Sequence, residues 1–421
     1  MTQRRTFLQS AAGALGVAVL LPGSAQARTL TKQDESAKHL PDWQPGTLEI
    51  HHIDTGRGNA TLVLGPDGTS ILIDAGEAHS PVKFMSQALP DASRTAGEWI
   101  ARYVGRQLKR TGETQLDTLL LTHFHGDHVG EVSSLSPRSK RGGYRLTGAA
   151  FVADALPIGT VIDRGWPDYS YPAAQTDTSA LNYIALARAL SARGATVQRA
   201  QAGSSNQIRL RNPNAYPKFK TRILSVNGTV WTGSGDASKA LFPQQTRVSR
   251  ESLPSENMCC VSLRLEYGAF RYYAGGDLCS DTDYGKYAWH DIETPVSSLA
   301  GAVSVAVANH HGYFDACGPE IVRNLRPQAW IVPTWHVSHP DLGVLANLCS
   351  RELYSGERRI FATGMAPAAR LVTDRFSSQL ASTEGHVVVR VPEGGRIFTI
   401  HVLDSRNECG MIKASFGPFD A

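Results

Sequence analysis

Short apolar runs separated by turn residues dominate the chain from residue 48 onward and predict a protein rich in β-strands. Pro66-Asp67-Gly68 and Gly268 have the chemistry of tight turns and predict two β-hairpins. Residues 96–108 and 179–192 repeat apolar side chains with helical spacing. Because strand-rich halves with helices between them bury their apolar faces against each other, this order predicts an α/β protein with two sheets packed face to face and helices outside. The predicted strands are 48–53, 60–64, 70–73, 119–121, 260–267, 270–274, 303–308, 329–333, 386–391 and 396–402.

The N-terminus has the pattern of an export signal. Arg4 and Arg5 precede an apolar stretch that ends at Leu21, and Ala25-Gln26-Ala27 offers small residues for cleavage. The paired arginines resemble a twin-arginine signal. An ordinary secretory signal and an uncleaved anchor are the alternatives. We expect a bacterial protein that is periplasmic or secreted, organised as a signal peptide, a polar linker and one domain over residues 1–27, 28–47 and 48–421.

Composition and charge narrow the class of protein. A hydrophobic content of 42% with 19% charged residues in 421 residues excludes wholesale disorder. No apolar run after the signal is long enough to cross a membrane, so we expect no integral span in the mature chain. Loss of residues 1–27 would lower the formal net charge from +4 to +2, which does not indicate a nucleic-acid partner. The six cysteines show no CxxC spacing, and the sequence predicts neither their pairing nor an oligomeric state.

Four side chains that can bind metal ions lie within six residues, directly after the apolar run 119–121. Alternate residues of an extended chain point the same way, so His123 and His125 can bind one ion together. Asp127 and His128 are adjacent and face elsewhere, toward a second ion close by. Imidazole nitrogens and a carboxylate oxygen are zinc-type ligands. The cluster therefore predicts a metal site, with a solvated histidine-rich loop as the alternative.

This HxHxDH motif resembles the metallo-β-lactamase fold hydrolases, and the similarity extends to other segments of the chain. Their order and spacing are similar to those of the metallo-β-lactamase-like domain in bacterial DNA-uptake competence proteins. The resemblance implies a four-layer αββα sandwich in which two mixed sheets are flanked by helices. The matching segments are 51–60, 71–76, 263–268, 275–277, 309–312 and 338–340.

The same resemblance implies the ligands of two zinc ions, with manganese as the alternative metal. One carboxylate would bridge the ions, and a histidine near the C-terminal end of the site would complete the second one. The implied ligands are His123 and His125 for the first ion, Asp127, His128 and His339 for the second, and Asp277 as the bridge.

Further residues have catalytic or orienting roles by the same resemblance. His310 and His311 fall where related phosphodiesterases have a histidine that stabilises the transition state. Asp127 is treated as catalytic chiefly through its role as a ligand, and not as the general base. Asp74 resembles the carboxylate that fixes the orientation of metal ligands. One histidine of the 310–311 pair could instead be only a core residue.

Two features leave the ligand set open. His336 competes with His339 as the last ligand, and the following Pro340 favours His339. Many superfamily members supply a third histidine to the first ion, but no histidine occurs between His128 and His290. Asn257 is the residue that could fill this gap, directly or through water. The first ion is therefore expected to be bound more weakly.

These features predict an exported metal-dependent hydrolase. The resemblance favours a binuclear zinc phosphodiesterase in which a hydroxide that bridges the metals attacks a small-molecule or nucleic-acid phosphodiester. A lactonase or β-lactamase-type hydrolase on the same metals and a non-enzymatic envelope protein that binds metal are the alternatives. The residues Arg164, Trp166, Tyr169 and Tyr171 could stack on a base or a choline-like cation, or form only a packed connection.

Overall fold

The computed structural model describes residues 39–79, 83–249 and 252–421. The expected signal peptide and residues 28–38 lie outside this part, so export stays a prediction from the sequence. Within it the strands are β1 Leu48–His52, β2 Thr61–Leu64, β3 Ser70–Ile73, β4 Leu116–Leu120, β5 Ile158–Asp163, β6 Thr196–Arg199, β7 Phe219–Val226, β8 Thr229–Trp231, β9 Ser238–Ala240, β10 Ser262–Tyr267, β11 Phe270–Ala274, β12 Val305–Val307, β13 Ala329–Val332, β14 Arg359–Ala362, β15 His386–Val391, β16 Ile397–Leu403 and β17 Ile412–Asp420. The α-helices are α1 Ala96–Arg110, α2 Gly126–Val129, α3 Ala149–Ala155, α4 Thr178–Ala192, α5 Glu293–Ala300, α6 Pro319–Leu325, α7 Leu342–Cys349, α8 Pro367–Val372 and α9 Asp374–Ser377.

These strands form two sheets, and both sheets are mixed. The first has the order β17-β16-β15-β1-β2-β3-β4-β5-β6, with parallel pairing from β3 to β6. The second has the order β14-β13-β12-β11-β10-β7-β8-β9, with parallel pairing from β11 to β14. The expected α/β architecture of two mixed sheets flanked by helices is confirmed. The two halves of the chain do not correspond to the two sheets, because β15 pairs with β1.

Three buried apolar clusters separate the layers. Because side chains alternate along a strand, Ile71 and Ile73 point into the cluster between the sheets while Leu72 packs with the helices α1, α3 and α4. On the outer face of the second sheet, Trp330 packs with the apolar residues of α5, α6 and α7. Helix α1 begins with a capping box between Thr95 and Glu98 and buries the side of the helix that faces the first sheet.

Several elements were not predicted from the sequence, and some strand boundaries differ from the predicted ones, most clearly the start of β4. The apolar run 119–121 is the end of β4, which begins at Leu116 and includes the polar residues Asp117 and Thr118. Strands β5 to β9, β14 and β17 were not predicted, nor were α2, α3 and the short helices α5 to α9. Strand β6 is exposed or half-buried along its whole length, so its apolar pattern is weak.

The described residues include all six cysteines and the last part of the expected linker, residues 39–47. All six cysteines are unpaired. No described helix is long and apolar enough to cross a membrane. In the segment 39–47, Trp43 is buried and its Nε1 donates a hydrogen bond to the carbonyl of Thr47 at 2.9 Å.

A buried carboxylate on β1 gives the fold a predicted sensitivity to acid. Glu49 accepts hydrogen bonds from Arg110 and Arg390, and its Oε2 lies 3.1 Å from Nε2 of His51. Burial alone would raise the pKa of Glu49, but hydrogen bonding and charge from His51 and Arg110 lower it to about 2. The stabilisation is therefore complete above the ordinary pKa of 4.5 and is lost as the pH falls toward 2.

We expect Glu49→Gln to lower the free energy of unfolding by up to about 3 kcal/mol at pH 7. The difference from the unsubstituted protein should narrow as the pH falls below 4.5, because only the glutamate becomes protonated there. Urea unfolding of both proteins from pH 7 to pH 3 measures this difference. A gap that stays constant over that range would contradict the prediction.

Candidate metal centre

The loop after β4 presents the histidines on one side because its middle residue is anchored in the core. Phe124 is buried, and its ring stacks on that of Tyr183 with 5.3 Å between the centroids. The flanking residues His123 and His125 therefore point away from this core. Helix α2 begins directly after His125, and this change from extended to helical backbone turns Asp127 and His128 toward a different point.

Two groups of side chains have ligand atoms that all lie within 4.8 Å of one another. Asp277 belongs to both groups, as expected for a bridging carboxylate. The first ligand group is His123, His125 and Asp277, and the second ligand group is Asp127, His128, Asp277 and His311.

The second ligand group contains His311 where the sequence led us to expect His339. Residues 310 and 311 both have positive φ, 48° and 56°, and this turn at the end of β12 places the His311 ring against the cluster. Its Nε2 lies 3.2 Å from Nε2 of His128 and 3.0 Å from Oδ2 of Asp127. Its Nδ1 donates to the carbonyl of Pro333 at 2.9 Å. One nitrogen is therefore fixed by the backbone and the other faces the site.

His339 lies next to His311 and outside both ligand groups. The two rings are stacked with 4.9 Å between their centroids and 20° between their planes. His339 is buried, and its Nδ1 has no hydrogen-bond partner among the described residues. The competing His336 is half-buried, and its Nδ1 lies 2.8 Å from Oγ of Ser338. The geometry thus favours neither His336 nor His339 as a ligand.

Asp74 has the orienting position that the resemblance implies. Its Oδ2 lies 2.8 Å from Nδ1 of His128, so the Nε2 of that histidine faces the second ligand group. The carboxylate is itself held by the backbone N–H of Thr122 at 2.8 Å and by the Thr122 hydroxyl. The amide of Asn59 also donates to Asp74, at 3.3 Å. A carboxylate behind a ligand histidine fixes its ring and tautomer.

His310 and Asn257 lie beside the first ligand group. His310 Nδ1 is 2.6 Å from Oδ1 of Asp315, and its Nε2 is 3.7 Å from Oδ2 of Asp277. Asn257 Nδ2 lies 3.3 Å from the same Nε2, while its buried Oδ1 has no partner in the described part of the chain. Asn257 thus provides an unused acceptor where the sequence lacks a third histidine. Asp315 was not predicted, although a carboxylate five residues after His310 was a visible signal.

The cluster concentrates buried charge. Burial raises the pKa of Asp127 and Asp277, but the positive charge of His128 holds both well below their usual range. Burial lowers the pKa of His311, but the charge of Asp277 raises it to about 9. Burial also lowers the pKa of His128, but three carboxylates, Asp277 first, raise it well above its usual value. The carboxylates therefore attract positive charge into a buried site.

The donor set fits divalent metal ions. Both groups consist of imidazole nitrogens and carboxylate oxygens, which are ligands for zinc and related metals. His128 and His311 each have the remote nitrogen bound to a carboxylate or a carbonyl, as metal-binding histidines generally do. The unpartnered Oδ1 of Asn257 adds an oxygen beside the smaller group. The two groups could hold two ions that share Asp277.

Comparison with known proteins agrees with this geometry. Residues 53–144 match the model of the metallo-beta-lactamase superfamily. Over these residues the chain is similar to the metallo-β-lactamase superfamily. This superfamily generally comprises metal-dependent hydrolases. The matched segment includes Asp74 and the motif from His123 to His128, and it ends before Asp277 and His311.

A relative among curated proteins matches a similarly small part of this chain. It is the lactamase-like protein nscB of Aspergillus fumigatus, which is 31% identical over 113 residues. The aligned region is 25% of this chain and 28% of that protein. The chain thus covers less than a third of the length of this relative.

Two side chains of the aromatic segment after β5, Arg164 and Tyr169, are packed in the protein interior. The guanidinium of Arg164 is buried in an ion pair with Glu256. The hydroxyl of Tyr169 is buried and donates to Asp163 at 2.7 Å. These contacts leave neither side chain free to stack on a base or a choline-like cation, so the alternative of a packed connection holds for Arg164 and Tyr169.

Gly76, in the segment after β3, is required because this backbone passes very close to α2. A Cβ atom on Gly76 would lie 1.6 Å from the carbonyl oxygen of Asp127 and 2.1 Å from its carbon. We expect Gly76→Ala to displace Asp127, to lower the free energy of unfolding by about 3 kcal/mol or more, and to lower the metal content. Urea unfolding and elemental analysis measure the two effects.

The matched control is Gly105→Ala on α1, where the nearest heavy atom to the new Cβ is 3.8 Å away. Alanine is the better helix former, so this change should stabilise the protein by no more than about 1 kcal/mol. Equal stability of Gly76→Ala and Gly105→Ala would contradict the close contact.

Proposed function

We propose that this protein is a metal-dependent phosphodiesterase that uses two divalent ions, with zinc as the favoured metal and manganese as the alternative. The observation that carries the proposal is the sharing of Asp277 by two ligand groups. One carboxylate in both groups would hold two ions close enough to act on one phosphoryl group. The preference for phosphodiesters is supported by the sequence resemblance described above.

Bound divalent ions supply Lewis acidity, which lowers the pKa of water and neutralises negative charge that grows in the transition state. The protein supplies the rigid geometry. Asp74 and the carbonyl of Pro333 fix the rings of His128 and His311, so their Nε2 atoms keep one direction during the reaction. This pre-organisation means that the ligands need not rearrange when substrate binds.

His310 is the residue that we propose for proton transfer to the leaving oxygen. Asp315 holds its Nδ1 at 2.6 Å, and its Nε2 faces Asp277 at 3.7 Å. The ring therefore has one nitrogen fixed by a carboxylate and the other directed at the shared edge of both ligand groups. A histidine held in this way can hold or donate a proton at Nε2. His311 instead takes the role of a ligand.

Metal analysis combined with a panel of substrates tests this function. We expect about two equivalents of metal per chain, and metal-dependent hydrolysis of bis-p-nitrophenyl phosphate that a chelator stops and added metal restores. A chromogenic β-lactam and a lactone complete the panel. If only the lactam or the lactone is hydrolysed, the proposal of a phosphodiesterase is wrong and the protein is a lactonase or β-lactamase-type hydrolase. Bound metal without any hydrolysis would favour a non-enzymatic metal-binding protein.

A further inference from the structure

We propose that the buried Arg164–Glu256 ion pair is a positioning element that sets the affinity of the first ligand group for its metal ion. The proposal rests on the proposed metal site and concerns two residues outside both ligand groups. Its basis is a chain of contacts from the end of β5 to the peptide between His123 and His125 and to Asn257.

Glu256 holds the backbone of the histidine loop directly. Its Oε1 accepts a hydrogen bond from the N–H of Phe124 at 2.8 Å. Phe124 lies between His123 and His125, so the orientation of its peptide sets the direction of both imidazoles. A change in this hydrogen bond would therefore turn both imidazoles of the first ligand group.

Arg164 fixes Glu256 in turn. Its Nε donates to Oε1 of Glu256 at 2.7 Å, and Nη2 donates to Oε2, so the pair is bidentate. The guanidinium carbon lies 4.4 Å from the centre of the Phe124 ring. Nη1 donates to the carbonyl of Tyr171 at 2.9 Å and to Oδ1 of Asn227 at 3.3 Å. Arg164 is fully buried, and these contacts allow it only one orientation.

The other side of the pair leads to Asn257. The carbonyl of Glu256 accepts from the N–H of Cys259 at 3.0 Å and so fixes the start of the 3₁₀ turn Asn257–Cys259. The amide of Asn257, at the beginning of this turn, reaches His310. A shift of Glu256 would therefore move the histidine loop and Asn257 together, on two sides of the first ligand group.

Stability alone is a weak explanation for this pair. Removal of two charges from water costs about as much as their attraction returns, so a buried ion pair often contributes little to folding. A bidentate pair does provide direction, and its acceptor oxygen is the one that binds Phe124 N–H. The second ligand group has a different support, since Asp74 and the carbonyl of Pro333 orient its histidines. The pair should therefore affect one metal ion and not the other.

The test uses Glu256→Gln, which keeps the shape of the side chain and removes its charge. The two dissociation constants for Zn²⁺ are measured on the full chain by competition with a chelator. We expect one constant to rise roughly 10- to 100-fold, as is typical for residues that orient ligands, and the other to change less than about threefold. Arg164→Lys keeps the charge but loses the bidentate geometry, and it should give the same split. It also carries the test if Glu256→Gln does not fold.

Glu49→Gln is the matched control, because Glu49 is a buried carboxylate paired with Arg110 and Arg390 and contacts neither ligand group. It should destabilise the metal-free protein and leave both dissociation constants unchanged. The inference is overturned if both variants of the Arg164–Glu256 pair bind two ions as tightly as the unsubstituted protein, or lose both ions equally. An unsubstituted protein that binds no metal would refute the proposed function itself, and this inference with it.

Discussion

Replacement of Asp277 by asparagine should remove most of the bound metal and lower kcat/KM for bis-p-nitrophenyl phosphate by roughly 10³-fold or more. Its Oδ1 lies 3.2 Å from Nε2 of His128, and its Oδ2 lies 3.6 Å from the Nε2 atoms of both His123 and His311. Asparagine has the same size but no charge, so it cannot balance two cations. Elemental analysis after dialysis and steady-state kinetics measure the two effects.

The control for this variant is Asp54→Asn. Asp54 is equally buried, but its carboxylate accepts hydrogen bonds from Ser405 at 2.7 Å and from the backbone of Gly385, away from both ligand groups. Burial raises the pKa of Asp54 to about 6, so loss of its charge costs little near neutral pH. Asp54→Asn should keep its metal and its activity. If the Asp277→Asn protein retained two ions and full activity, the prediction that both ions need this carboxylate would be wrong.

The second large effect is a difference in metal binding between variants of two stacked histidines, His311 and His339. His311→Ala should abolish binding at the second ligand group, because His311 contributes an Nε2 atom 3.0 Å from Oδ2 of Asp127. The loss of affinity should exceed the roughly 10- to 100-fold that is typical of residues that only orient a ligand. His339→Ala should keep both ions, because His339 contacts the site through the His311 ring.

The two variants form a matched pair, because both remove a buried imidazole from the same stack. Circular dichroism checks that both proteins fold, and elemental analysis counts the ions. The opposite pattern, with metal lost in His339→Ala and kept in His311→Ala, would restore the ligand set that the sequence led us to expect. Equal loss in both would show that the stack is needed as a unit.

The local part of the site could be predicted because its ligands are close in sequence. His123, His125, Asp127 and His128 lie within six residues, and the alternation of an extended chain followed by one helical turn separates them into two directions. This inference depends on covalent geometry and on neighbours along the chain, both of which a sequence contains. Asp277 was instead implied by the resemblance of its segment to the metallo-β-lactamase fold hydrolases.

The choice between His311 and His339 depended on packing. Both follow neighbouring parallel strands, β12 and β13, whose carboxyl ends lie at the same edge of the second sheet. His310 and His311 both adopt positive φ, which residues other than glycine rarely do, so local preferences do not predict the turn that brings His311 into the cluster.

The partners of the supporting residues could not be identified from the sequence, although Asp315 does lie close to His310 along the chain. Asp315 binds His310, and Glu256 joins Arg164 to Phe124, but single carboxylates and arginines carry no periodicity that indicates a partner. The histidine motif and strands β1 to β4, β10 to β13, β15 and β16 follow from alternation and spacing along the chain. The pairing of the last strands with β1, the histidine that completes the second ligand group and the buried ion pair follow only from distant segments packing together, because contacts between distant segments depend on the whole fold.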